Sequence, residues 1–175
     1  MPDRSRDVSC DADVLMNLVA SGRLDDILRV SEVRGVIGPQ VLSEALFVEG
    51  DVPGTQLAVD LNPFFAANVL IQTELSLAET ELFVELAADI DDGEAQVLAI
   101  ASSRGLTAAS DDRRAQRKAI ELGVRVIGTA ELVLRWAPTV APEAAAEAVR
   151  RIEARAHYFP SPAHPLREEW DRRRA

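Results

Sequence analysis

The residues of this chain best suited to chemistry are acids, and they stand where strand-like runs give way to helix-like ones. Asp11 and Asp13 follow the run "RDVSC", and Asp111 and Asp112 follow "GLTAAS". Glu44 lies one turn into the helix expected from "PQVLSEALFVEG", and Glu94 opens the helix expected from "DGEAQVLAIASSRG". Acids at helix starts cap free N–H groups and complement the helix dipole in any protein, and each of these could do only that. Helical spacing adds a second reading for the two glutamates. Glu44 has Val41 three residues before it and Val48 four after, while Glu94 has Val97, Leu98 and Ala101 at i+3, i+4 and i+7. Each therefore shares a helical face with apolar residues. A carboxylate on such a face loses water and needs a cation or a hydrogen-bond donor. Several converging carboxylates also repel one another and raise their pKa values unless a metal compensates. The first two motifs contain no Lys or Arg. A hard divalent ion with oxygen ligands, Mg²⁺ or Mn²⁺, is the natural counter-charge. Separate caps and a shared metal site both satisfy the spacing.

The elements that would position these acids alternate along the chain. After "RDVSCD", the stretch "ADVLMNLVASGRLDDIL" reads as two helices separated at Gly22. "RGVIGP" is a second short strand, with Pro39 suited to the first turn of the helix that follows. Residues 51 to 68 read as a loop with room for a short strand, and "NVLIQTEL" as a strand. Ser76 and Glu79 form a capping box before the helix "LAETELFVELAADI". Then come the helix carrying Glu94, with Asp92 as its expected N-cap and Asp91 unassigned, the strand "GLTAAS", the helix "DDRRAQRKAIELG", the strand "VRVIG" and the helix "TAELVLRW". Such alternation implies an α/β fold, a parallel sheet with helices on both faces. Ligands of such sheets bind beyond the carboxyl ends of the strands, where strand order reverses, and the acids stand at those ends.

Composition bounds the rest. The 175 residues, 47% hydrophobic, fit one domain at residues 1–136 followed by an extension at 137–175. In that extension "APTVAP" reads as a linker, "EAAAEAVRRIEARAHYF" as an amphipathic helix, and the polar, proline-broken remainder as a tail without fixed structure, with Trp170 a possible anchor for a partner. His157 and His164 are expected to be solvated. No apolar run approaches the roughly 20 residues of a membrane span, and the first residues lack the apolar core of a signal peptide, so a cytoplasmic protein with no membrane partner is expected. The single cysteine, Cys10, excludes a multi-cysteine zinc site and belongs to the core. A net charge of −10 argues against a large basic nucleic-acid surface.

Taken in order, "DADVL" with Asp11, "PQVLSEAL" with Glu44, "GEAQVLAIASSRG" with Glu94 and "SDDRRAQRKAIELGVRVIGT" resemble the PIN-domain family, over residues 8 to 136. The resemblance is to VapC-like toxin ribonucleases and to a "GEA" subfamily of bacterial and archaeal members. It implies a three-layer, Rossmann-like sheet, here with a C-terminal helical extension, and an acidic pocket for Mg²⁺ or Mn²⁺. By position, Asp11, Glu44, Glu94 and Asp112 would be the catalytic acids, and Asp11, Glu94, Asp111 and Asp112 would hold the metal. Asp13, Ser110 and Arg113 would contact substrate or support these groups; Arg114 and Arg117 read as a solvated face. The implied activity is endoribonuclease hydrolysis of phosphodiester bonds, with a small antitoxin as partner and often a homodimer. Two departures stand out: Ala12 replaces the usual Thr or Ser after the first acid, and Glu94 replaces the commoner Asp. They leave room for an inactive module that binds RNA or a protein partner. A third reading takes Asp11 and Asp13 as nucleophile and general acid of a haloacid-dehalogenase-like phosphatase, but the one lysine, Lys118, falls after the last acidic pair rather than before it.

Overall fold

The computed structural model describes residues 7–44, 46–52 and 54–175. Its elements run β1 (Asp7–Cys10), α1 (Ala12–Ser21), α2 (Leu24–Val30), β2 (Arg34–Ile37), α3 (Pro39–Ser43), β3 (Phe47–Glu49), β4 (Gln56–Ala58), α4 (Asn62–Ala66) and β5 (Leu70–Gln72). They continue as α5 (Leu77–Leu86), α6 (Asp92–Arg104), β6 (Thr107–Ala109), α7 (Arg113–Glu121), β7 (Val126–Ile127), α8 (Thr129–Trp136), α9 (Pro142–Arg155) and α10 (Arg167–Arg174), with a 3₁₀ turn at Ala137–Thr139.

Five strands pair in parallel in the order β5-β2-β1-β6-β7. The chain thus builds outward from β1 to β5 on one side, then crosses to β6 on the other. The switch point lies between β1 and β6, whose ends carry Asp11 and Asp111–Asp112. The helices form two mutually packed groups around the sheet, α1 with α2, α8 and α9, and α6 with α3, α5 and α7, which gives the three-layer α/β arrangement. Helix α6 lies on β1. Its residues Ala95 to Ala101 are all buried, and the small side chains of Ala95, Ala99 and Ala101 let it approach the strand closely.

Local signals end the elements where the sequence indicates. Ser76 accepts from the Glu79 N–H while the Glu79 carboxylate accepts from Ser76 N–H, completing the capping box of α5. Gly22 closes α1 in the left-handed conformation at φ 70°, which glycine adopts without Cβ strain. The buried Glu79 also takes Arg104 as a partner, and that half-buried guanidinium reaches Thr73 and the Glu74 carbonyl, joining the start of α5 to the end of α6. The ion pair, with the capping bonds, holds the Glu79 carboxyl down to about 2.

Three regions depart from expectation. The helix expected over "PQVLSEALFVEG" stops at Ser43; Glu44 is extended, at φ −75° and ψ 140°, and Phe47–Glu49 instead pairs antiparallel with Gln56–Ala58 as a hairpin. Val48 is buried in that strand, not on a helical face shared with Glu44. Residues 51 to 68, read as a loop with room for a short strand, contain that strand as β4 and add the short helix α4. The tail expected to lack structure forms α10, and Trp170, fully buried, meets the Tyr158 ring edge-on at 5.5 Å and donates to Glu153. The anchor therefore grips its own chain. Helix α9 packs on α1, and α10 packs on α9 and α8.

Candidate metal centre

Asp11 is the residue after β1, and its N–H continues the ladder to Ala109 of β6. It occupies the N-cap position of α1, yet its side chain makes no capping bond, although the residue is only 6% exposed. A carboxylate buried at a helix start without acting as its cap calls for another partner. Burial is the main cause that pushes Asp11 up to about 7; the Asp13 carboxylate adds to it, Glu94 and Glu44 add less, and the Ala12 N–H opposes them. Glu94, at the start of α6, is likewise pushed up to about 7 by burial, then by Asp112 and Asp91. Asp13 and Glu44 are raised from their ordinary values, by burial first and then by Asp112 and Asp13 respectively. These acids are close enough to resist one another's ionisation.

They line a cleft of about 550 Å³ together with Asp91, Asp92 and Gly93. Gly93 is its most informative residue. A Cβ there would stand 2.9 Å from Glu44 Oε1 and 3.6 Å from Asp11 Oδ1, so both oxygens flank the space that the missing side chain leaves. Glu44 thus reaches the site from an extended segment, not from the helical face that its spacing suggested. Behind it, Gln96 of α6 accepts the Gln40 N–H at 2.8 Å and fixes the start of α3. The expected N-cap of α6, Asp92, is the first helical residue; Asp91 holds the cap position, without a side-chain capping bond.

The acids after β6 divide. Asp112 caps α7, its Oδ1 accepting from Arg114 and Ala115 at 2.6 and 2.9 Å, so one of its oxygens is committed to the helix. Asp111, expected among the metal ligands, has both oxygens engaged: Oδ1 accepts the Thr129 N–H at 2.9 Å, and Oδ2 accepts Thr129 Oγ1 at 2.5 Å and Asn17 Nδ2 at 3.2 Å. The Tyr158 hydroxyl also donates to it. Burial still leaves its pKa raised against these donors. Asp111 thus ties the end of β6 to α1, to the start of α8 and to the C-terminal extension. Ser110 is buried and accepts the Asp112 N–H, which makes it a support of that turn. Arg113 is exposed and donates to Ser161, and Arg114 donates to the Asp89 carbonyl.

Spacing did not reveal Asn17, Thr129 or Tyr158. Asn17 carried a signal, a polar residue on the apolar stripe of Val14, Leu15 and Leu18, and it is buried. Tyr158 and Thr129 reach Asp111 only through tertiary contact. Cys10 is buried beside Asp11, its thiol pushed up to about 12, in keeping with a core role.

The donor set is all carboxylate, which suits a hard dication. The absence of a side chain at Gly93 leaves the Glu44 and Asp11 oxygens beside it unobstructed. Among the described residues, no three Asp, Glu, His or Cys side chains close on one point as a bound ion would need. The acids surround a cleft. An open parallel sheet with an acid-lined crevice at its switch point defines the class: an α/β domain whose candidate site is anionic. A PIN-domain family profile matches residues 7–164, and the chain belongs to that family. No curated protein and no solved structure matches it. PIN domains are generally nucleases that bind RNA and typically use divalent metals. Lys118 pairs with Asp89 and Glu121, none of the three lining the acidic cleft, so the lysine that the phosphatase reading requires is not at the site.

Proposed function

We propose that the protein is a Mg²⁺- or Mn²⁺-dependent endoribonuclease whose ion is held by Asp11, Glu44 and Glu94 around the space at Gly93. The observation that carries this reading is the buried Asp11 carboxylate, which does not cap its helix and shares its cleft with three other acids that raise its pKa. A bound dication supplies the charge that keeps these carboxylates ionised and polarises a water and the scissile phosphate. Asp112 joins the set through the oxygen that does not cap α7, and Asp13 stands at the rim. Asp111, Asn17, Thr129 and Tyr158 hold the framework of β6 in place rather than touching the ion. Hydrolysis in line would leave a 5′-phosphate and a 3′-hydroxyl. The resemblance of the motif order to VapC-like proteins supports a toxin held by a small antitoxin, a homodimer, and, with RNA as substrate, a cytoplasmic location. Among the described residues no helix is long and apolar enough to cross a membrane.

A module that binds RNA without cutting is favoured by Ala12 and by the spread of the acids around the cleft. One paired assay separates the two. Structured RNA is incubated with the wild-type protein and with Asp11→Asn, in Mg²⁺ and in Mn²⁺. Cleavage that Asp11→Asn abolishes supports the nuclease; retained binding with no cleavage in either ion supports the module.

A further inference from the structure

A second, larger cleft of about 620 Å³ adjoins the acidic one, and Asp13 lines both. Its walls are the β3–β4 hairpin and the end of α9 with the residues that follow. Two polar contacts join these walls: the ion pair of Arg155 with Asp51, and His157 Nε2 with Glu49 Oε2 at 2.7 Å. The volume of the cleft lies within the range that holds a small organic molecule. Phe47, 40% exposed, contributes an aromatic ring, and Gln56 an exposed amide. The Arg155 guanidinium in the walls is taken by the Asp51 carboxylate, while Asp13, Glu49 and Asp111 place further carboxyl groups in the lining. Such a lining rejects a phosphate and accepts the uncharged face of a base.

Resting on the ribonuclease reading, we infer that this cleft is a base-binding subsite for a nucleotide flanking the scissile phosphate of single-stranded RNA, with the base stacked on Phe47. The chain of the substrate passes over Asp13 from the acidic cleft into the neighbouring one. Base stacking on an aromatic side chain tolerates any base, because every base has a π-face.

The test is fluorescence anisotropy of labelled oligo-uridine, and of an abasic ribose-phosphate strand of equal length, with Asp11→Asn protein in Mg²⁺. Adding Phe47→Ala is expected to weaken oligo-uridine binding roughly tenfold, to leave the abasic strand unaffected, and to leave the salt dependence unchanged, since no phosphate contact is lost. Phe47→Leu, which keeps apolar bulk on the strand, shows the same loss, and Phe47→Tyr keeps near-parental affinity. Oligo-uridine binding unchanged by Phe47→Ala or Phe47→Leu overturns the subsite, as does failure of the Asp11→Asn protein to bind the strand or an equal loss on the abasic one. The two readings fail separately. If the wild-type protein cuts no RNA but the Phe47 effect appears, the nuclease reading falls and the cleft stands only as a base-binding site; if it cuts RNA but the Phe47 effect is absent, the nuclease reading stands and the subsite falls.

Discussion

Replacing Gly93 by Ala sets stability and function against each other. The added methyl would stand 2.9 Å from Glu44 Oε1, too close for any Cβ, and 3.6 Å from Asp11 Oδ1, an ordinary contact. Glu44 is exposed and its carboxylate is the free end of a flexible side chain, so it swings aside at little cost. Gly93 lies in the first turn of α6 and does not have a positive φ, so alanine is sterically allowed there. Alanine in place of helical glycine stabilises by up to about 1 kcal/mol, and about half that is expected at a helix end. For a chain of this length that raises Tm by about 1–2 °C. The same methyl fills the space between two proposed ligands. Mn²⁺ affinity should fall by about 10- to 100-fold, the range seen when support for a metal ligand is lost. Calorimetric melting without metal and Mn²⁺ titration of the same preparations measure both effects. A Gly93→Ala protein that binds Mn²⁺ as the wild type does would refute the placement of the ion.

Other expectations follow from the same packing and charges. Asp11 and Glu94 ordinarily lose their protons near 3.8 and 4.5 but hold them to about 7 in the folded protein, so the folded state binds more protons between those values and stability falls as pH rises through them. Glu79 acts oppositely, its contribution being lost as pH falls from 4.5 towards 2. Metal-free protein should thus melt highest near pH 4.5, with Asp11→Asn flattening the decline on the alkaline side; a melting curve that instead rises from pH 5 to 7 contradicts the burial assigned to these acids. Thr129→Val removes the hydroxyl donated to Asp111 and should cost about 1–3 kcal/mol, read by urea unfolding, since a buried acceptor loses a partner. Trp170→Ala empties a fully buried site and should cost about 3–5 kcal/mol; a loss below 1 kcal/mol would mean that α10 is not part of the folded core.

Much of the fold was legible because its signals are local. The capping box at Ser76 and Glu79, the break at Gly22 and the strand-then-acid junctions at Asp11 and Asp111 each lie within a few residues of chain. The β3–β4 hairpin was not legible, since a three-residue strand shows too little alternation to compete with the helical spacing of Val41, Glu44 and Val48. Glu44 was singled out by a helical face that does not exist, yet its carboxylate does lie beside Asp11 at Gly93. The role of Asp111 was hidden for another reason. Its donors are Thr129, Asn17, 94 residues away in sequence, and Tyr158 in the extension, and no pattern of spacing announces them. Composition likewise marked the tail as polar, whereas α10 packs on α8 and α9 with Trp170 fully buried against Tyr158.

The central claim is that Asp11, Glu44 and Glu94 bind a divalent ion, and the most direct measurement is Mn²⁺ binding followed by the loss of the free ion's paramagnetic resonance signal. The account predicts saturable binding by the wild-type protein at neutral pH, competed by Mg²⁺, weakened as pH falls below about 7, and abolished by Asp11→Asn. Binding that Asp11→Asn and Glu94→Gln leave untouched, or no binding at millimolar Mn²⁺, would contradict it.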